Sequence, residues 1–129
     1  SYSYTGLKYS EDANGRLTDI YVAQLRAAVK QAGSDLTFCY VPISNEVEAY
    51  RRTKEISPDE KAIKASIEAR GGTLFSLTPV LAARPEPLRD LYYTEGHWTR
   101  RAHALVGEFL GSYLNNLLQE KHRNGVTPH

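Results

Sequence analysis

Methionine is absent from the 129 residues, and cysteine occurs once, as Cys39. A single thiol excludes an intramolecular disulfide and any cysteine-rich metal site, and it leaves the redox compartment open. No apolar run approaches the ~20 residues that span a bilayer, and no signal-peptide pattern opens the chain. A surplus of one charge is missing as well, because 16 basic residues face 15 acidic ones for a net charge of +1. Such a balance gives no field to hold a polyanion, so nucleic acid is not an expected partner. Internal repeats and low-complexity tracts are also lacking. What remains is ordinary for a folded protein, with 41% hydrophobic and 24% charged residues. Disorder is therefore excluded, and 1–129 reads as one domain. A chain that opens on Ser1 and holds no methionine reads as a piece of something longer, whose targeting segment would lie out of view.

The hydropathy pattern divides the chain into elements. Residues 1–13 are polar with Tyr2, Tyr4, Leu7 and Tyr9 as bulky positions, and they read as an irregular arm or weak hairpin. Asn14-Gly15 is a turn dipeptide, since both residues tolerate positive φ. From Arg16 to Ala32, Leu17, Ile20, Tyr21, Leu25, Ala28 and Val29 recur at helical spacing, and Gly33 suits the stop. Leu36–Ile43 is a nearly unbroken apolar run, which fits a strand buried on both faces and ended by Pro42. Ser44–Lys54 reads as a loop and a short helix. Ser57-Pro58-Asp59-Glu60 then starts a helix, with Ser57 as cap, Pro58 in the first turn and Glu60 completing a capping box. Gly71-Gly72 ends it, Thr73–Leu77 reads as a second strand, and the prolines at 79, 85 and 87 mark a loop to about Asp90. The last helix runs from a Thr99 cap through Ala102, Leu105, Val106, Phe109, Leu110, Tyr113, Leu114, Leu117 and Leu118 to Asn124-Gly125. Helix, strand, helix, strand, helix implies a right-handed parallel crossover. Two strands bury little by themselves, which points to a missing half or a second chain along an open edge.

The chemistry-bearing stretch is Tyr92-Tyr93-Thr94-Glu95-Gly96-His97-Trp98-Thr99, between the last strand and the last helix. Loops at this place in α/β folds carry sites. His97 can act as a general base near neutral pH. Glu95, two residues away, can fix its tautomer and stabilise the imidazolium, and Gly96 allows the bend between them.

This string, followed by Ala102-His103 and a Leu/Val-rich helix, resembles the last block of SGNH (GDSL-like) hydrolases, commonly Asp-x-His-Trp. Tyr40-Val41-Pro42, Glu46 to Tyr50 and Ser76-Leu77-Thr78-Pro79 resemble flanking segments of envelope-associated members. The resemblance covers roughly residues 14–118. It implies an α/β fold, a three-layer flavodoxin-like parallel sheet represented by its C-terminal part, and an esterase or O-acyl-transfer activity on a small ester or O-acetylated carbohydrate. It implies His97 and Glu95 as the catalytic histidine and its acid partner, with no cofactor and no metal, and it favours an extracytoplasmic location. Glu95 departs from the usual Asp, Ala102 from the usual Gly, and no Gly-Asp-Ser nucleophile block, oxyanion glycine or Asn-Asp block is present. The chain alone is expected to be inactive. Ser44 lacks flanking glycines, Ser57 is a cap, and Ser76 lies inside a strand.

Other readings stand beside this one. From spacing alone His97 is a loop histidine, Glu95 a solvated carboxylate and Trp98 a packing anchor. His103 is structural, Cys39 is an inert core thiol, and Arg100-Arg101 is a solvated pair. The alternative to the hydrolase is a non-catalytic interaction domain on a degenerate hydrolase fold. The further possibilities are a homodimer that completes its sheet and a missing N-terminal half.

Overall fold

The computed structural model describes residues 13–125. The elements in order are α1 (Ala13–Gln31), β1 (Phe38–Tyr40), α2 (Ser44–Thr53), α3 (Pro58–Ala69), β2 (Leu74–Ser76), α4 (Thr78–Ala82), α5 (Leu88–Leu91) and α6 (Arg100–Arg123). The tyrosine-rich arm falls outside the described residues, apart from Ala13. Asn14-Gly15 does not turn the chain; both residues lie in the first turn of α1. The orphan N–H groups of a helix start tolerate such residues where a helix interior would not. Gly33, at φ +76°, ends α1 as expected, with the Ser34 N–H donating to the Val29 carbonyl.

The two strands pair in parallel, Phe38 with Leu74, Cys39 with Phe75 and Tyr40 with Ser76. The parallel crossover read from the sequence is present, but the expected flavodoxin-like three-layer sheet is not. Among the described residues the sheet has two strands of three residues each, and helix dominates. The reason lies in the hydropathy: outside these two runs the apolar positions recur at spacings of three and four, which only helices can place on one face.

Two segments hold more helix than expected. Ser44–Thr53 forms the whole of α2, with the Glu46 carboxylate accepting the Ile43 N–H at 2.9 Å. The proline-marked stretch holds α4 and α5, each started by a proline at or next to its first residue, where the missing N–H costs nothing. Arg51 fastens this region to α2. Its guanidinium donates to the carbonyls of Ala82 (3.3 Å), Arg84 (2.8 Å) and Glu86 (2.8 Å), satisfying backbone groups that a loop would otherwise leave unpaired.

The core sits at the end of the molecule where β2 runs into α4. Val47, Leu77, Leu81, Ala82, Leu91, Tyr92, Ala102 and Val106 form one buried cluster, with Tyr50, Phe75, Leu88 and Trp98 packed on it. Thr99 caps α6 as expected, accepting the Ala102 N–H at 3.2 Å and donating to the Asp90 carbonyl at 2.6 Å. On one face of the strands, Phe75 stacks on Phe109 (5.4 Å) and Tyr113 (4.3 Å) of α6. The far half of α6 is bare, with Leu114 54% and Leu118 53% exposed. Among the described residues no helix is long and apolar enough to cross a membrane.

Candidate functional site

Glu95 and His97 occupy the tip of a small turn between α5 and α6. Tyr92 and Trp98 form an antiparallel bridge at its base, and the Tyr93 N–H donates to the His97 carbonyl at 2.8 Å. Gly96 closes the turn at φ +95°, in the region an L side chain avoids. The base is anchored near the C-terminal end of β1, because the buried Tyr92 hydroxyl donates to the Pro42 carbonyl at 2.8 Å. Burial pushes the Tyr92 phenol up. The tip itself is open to water. His97 Nδ1 stands 3.9 Å from Glu95 Oε1, with the two side chains 84% and 61% exposed. That separation exceeds a hydrogen bond, and exposed charges at this distance are strongly screened. Trp98 packs on the core and meets the His103 ring edge-on at 5.3 Å.

A second constellation lies at the C-terminal ends of the strands, buried at Glu60 and Thr78 and half-buried around them. Glu60, 1% exposed, accepts from the Ser76 hydroxyl at 3.1 Å and from the Thr78 hydroxyl. Glu46 accepts from the Tyr40 hydroxyl at 2.7 Å and the Ser57 hydroxyl at 2.5 Å. The Tyr40 phenol is pushed up by burial first and by its bond to Glu46 second. Ser57 also caps α3, accepting the Glu60 N–H at 3.1 Å. Half of the expected capping box is therefore formed, since the Glu60 side chain turns inward to Ser76 and Thr78 instead of back to its helix start. The sequence held a signal for this: Glu60, Ile63 and Ile67 fall on one face of α3 by helical spacing. Two of the three serines weighed as nucleophiles are occupied. Ser57 and Ser76 each bond a carboxylate and a backbone N–H and no histidine, and Ser44 starts α2. The network joins β1, α2, α3, β2 and α4 through satisfied polar pairs.

The third feature is the outer edge of β1. Phe38 donates its N–H to Thr73 (3.0 Å), and Tyr40 accepts from Leu77 (3.1 Å). In a parallel ladder the residue between them turns its N–H and C=O the other way, so Cys39 presents both to the open side. Cys39 shares a face with Phe75, its register partner, but α6 covers Phe75 and leaves Cys39 exposed. The expected core thiol is therefore a surface thiol, because a two-stranded sheet has no inner strand. Val41 and Ile43 beyond it are each 56% exposed.

Among the described residues no group of His, Cys, Asp and Glu is arranged to hold a metal ion. Comparison with known proteins gives no match to any family profile, curated protein or solved structure. Together with the two-stranded, mainly helical fold, this overturns the SGNH esterase reading. The Glu95-Gly96-His97-Trp98 string is a local likeness that the surrounding architecture does not share.

Proposed function

We propose that the chain is a non-catalytic interaction domain that associates with a second copy of itself through the open edge of β1. The observation that carries this reading is the edge at Cys39 and Val41, both exposed, where the Cys39 N–H and C=O face outward without a partner among the described residues. Natural edge strands are guarded by charges, prolines or bulges. Between Leu36 and Val41 there is no charge and no proline. A net charge of +1 sets up little repulsion between copies. Antiparallel pairing about a two-fold axis at Cys39 exchanges the N–H and C=O of Cys39 with those of the partner's Cys39, giving a continuous sheet of order β2-β1-β1-β2. Such a contact is self-complementary and closed, as in most homodimers. It also places Val41 of both copies on one face, where apolar area leaves water.

The test is light scattering coupled to gel filtration, with a short bismaleimide as cross-linker. Residues opposite each other in a hydrogen-bonded antiparallel pair stand about 5.5 Å apart at Cα, so the reagent is expected to join Cys39 across the pair. A dimer mass is expected for the wild type, a monomer for Val41→Lys, and a dimer without cross-link for Cys39→Ser. A wild-type monomer at high micromolar concentration, or cross-linking unchanged by Val41→Lys, would sink the reading.

A further inference from the structure

A second uncovered surface lies at the opposite, N-terminal end of the strands. There α1 and the far half of α6 flank a groove of about 1290 Å³. Its two walls have the same spacing and different sizes. On α1 the lining positions are Ala23, Arg26, Ala27, Val29 and Lys30; on α6 they are Leu114, Leu117, Leu118 and Lys121. Apart from Val29, each set falls at i, i+3, i+4 and i+7, which is one face of a helix over about two turns. Small residues on one wall and leucines on the other leave a channel between two helices, lined between them by Leu36, Thr37, Ala69, Gly71 and Thr73.

The rim is charged with one sign. Among the described residues, Arg26, Lys30 and Lys121 line the groove beside one carboxylate, Asp35, which is engaged by Lys121. Three cations to one anion is a local excess of two, in a chain whose net charge is only +1. Lys30 has no ion-pair partner among the described residues. The Arg26 guanidinium donates to the Gly71 carbonyl at 2.9 Å, which leaves its charge without a carboxylate.

We propose that this groove receives an acidic amphipathic helix of a partner protein. Three physical considerations select that occupant. Small-molecule pockets run to roughly 300–1,000 Å³, so a larger open groove suits a peptide segment. Paired i, i+3, i+4, i+7 faces are the complement of a helix with the same stripe, laid in the groove as a third helix. The cationic rim asks for Glu or Asp beside that stripe. Single-stranded nucleic acid would need aromatic platforms for its bases, and the described residues of the groove lining include none. The groove adjoins the β1 edge at Leu36 and Thr37, but its cations and leucines lie off that edge.

The experiment uses the full chain and a fluorescein-labelled 18-residue synthetic helix with Leu and Ala on one face and Glu on the other. Fluorescence anisotropy is read against the same stripe flanked by Lys, and flotation is read with vesicles of phosphatidylglycerol and phosphatidylcholine. The Glu peptide is expected to bind at least tenfold more tightly than the Lys peptide, with affinity falling as salt rises. The double variant Lys30→Glu/Lys121→Glu is expected to lose at least tenfold for the Glu peptide and to reverse the preference. Leu118→Ser is expected to weaken both peptides. Circular dichroism of each variant checks that the fold persists, and Leu118 is exposed enough for its loss to be tolerated. No binding of the Glu peptide, equal binding of both peptides, no effect of the charge reversal, or binding to anionic vesicles in place of the peptide would each overturn the proposal. Because Val41→Lys breaks the edge and leaves the groove intact, peptide binding by that variant separates this inference from the self-association reading.

Discussion

The end of the molecule built from α2, α4, α5 and the first turns of α6 differs from the end built from α1, the β1 edge and the last turns of α6. In the first, Leu81 and Leu91 are 0% exposed, and every buried polar side-chain atom among the described residues has a partner. In the second, Leu25 is 48%, Leu114 54% and Leu118 53% exposed. Amphipathic stripes of similar regularity serve opposite purposes in the two regions. Where short helices and a loop clamp fold back on the stripe, it becomes core. Where no described element returns, it becomes surface with the composition of an interior. A stripe therefore records a need for burial and does not say which chain meets it.

The comparison can be broken most severely in the core. Leu81→Ala is expected to cost about 2–5 kcal/mol, through lost transfer energy and a cavity. Leu118→Ala is expected to stay within about 0.5 kcal/mol, as exposed positions do; urea melts of the two variants measure the contrast. Glu60→Ala follows. It strands the Ser76 and Thr78 hydroxyls in a buried site, at roughly 1–3 kcal/mol for each unpaired group, whereas Glu95→Ala at the exposed turn is expected to leave the melt unchanged. Thr99→Ala removes the cap of α6 and the bond to Asp90, an expected loss of about 1 kcal/mol, seen as a lower urea midpoint.

The smallest effect concerns Glu86, whose carboxyl is held at about 2 by the hydrogen bond from Arg84, helped by Arg101. A folded value below the ordinary carboxylate range means a contribution present above the unfolded value and lost as pH falls toward the folded one. The difference in stability between wild type and Glu86→Gln is therefore expected to shrink between roughly pH 4.3 and pH 2. A difference that stays constant through that window would show that Glu86 acts by packing and not by charge.

Much of the local structure was legible. The parallel pair, the Ser57 and Thr99 caps, the Gly33 stop and the end of α6 at Asn124-Gly125 all follow from short-range chemistry, and the structure has them. The misreadings share a cause. The short helix expected within Ser44–Lys54 fills Ser44–Thr53, and the stretch from Thr78 to Leu91, expected as loop, holds two helices, because tertiary partners, Arg51 foremost, satisfy backbone groups that local propensity leaves undecided. Glu60 matched a capping motif, yet its side chain found better partners across the fold. Cys39 matched a core strand, yet its strand is an edge. The likeness around His97 concerned eight residues of a turn, whose fold depends on little beyond Gly96 and the Tyr92–Trp98 bridge.

By itself the sequence determined which segments are helix and strand at their strongest, where caps and stops fall, and that apolar faces exist in excess of what two short strands can cover. These are consequences of neighbours within about four residues, where sterics, capping and periodicity act. Only the tertiary structure decided which faces meet. It turned Glu60 inward and Cys39 outward, closed the core around Leu81 and Leu91, and left β1 and the α1–α6 groove open. Those outcomes depend on pairings between residues far apart in the chain, such as Arg51 with Glu86 and Tyr92 with Pro42. No window of local pattern contains both partners.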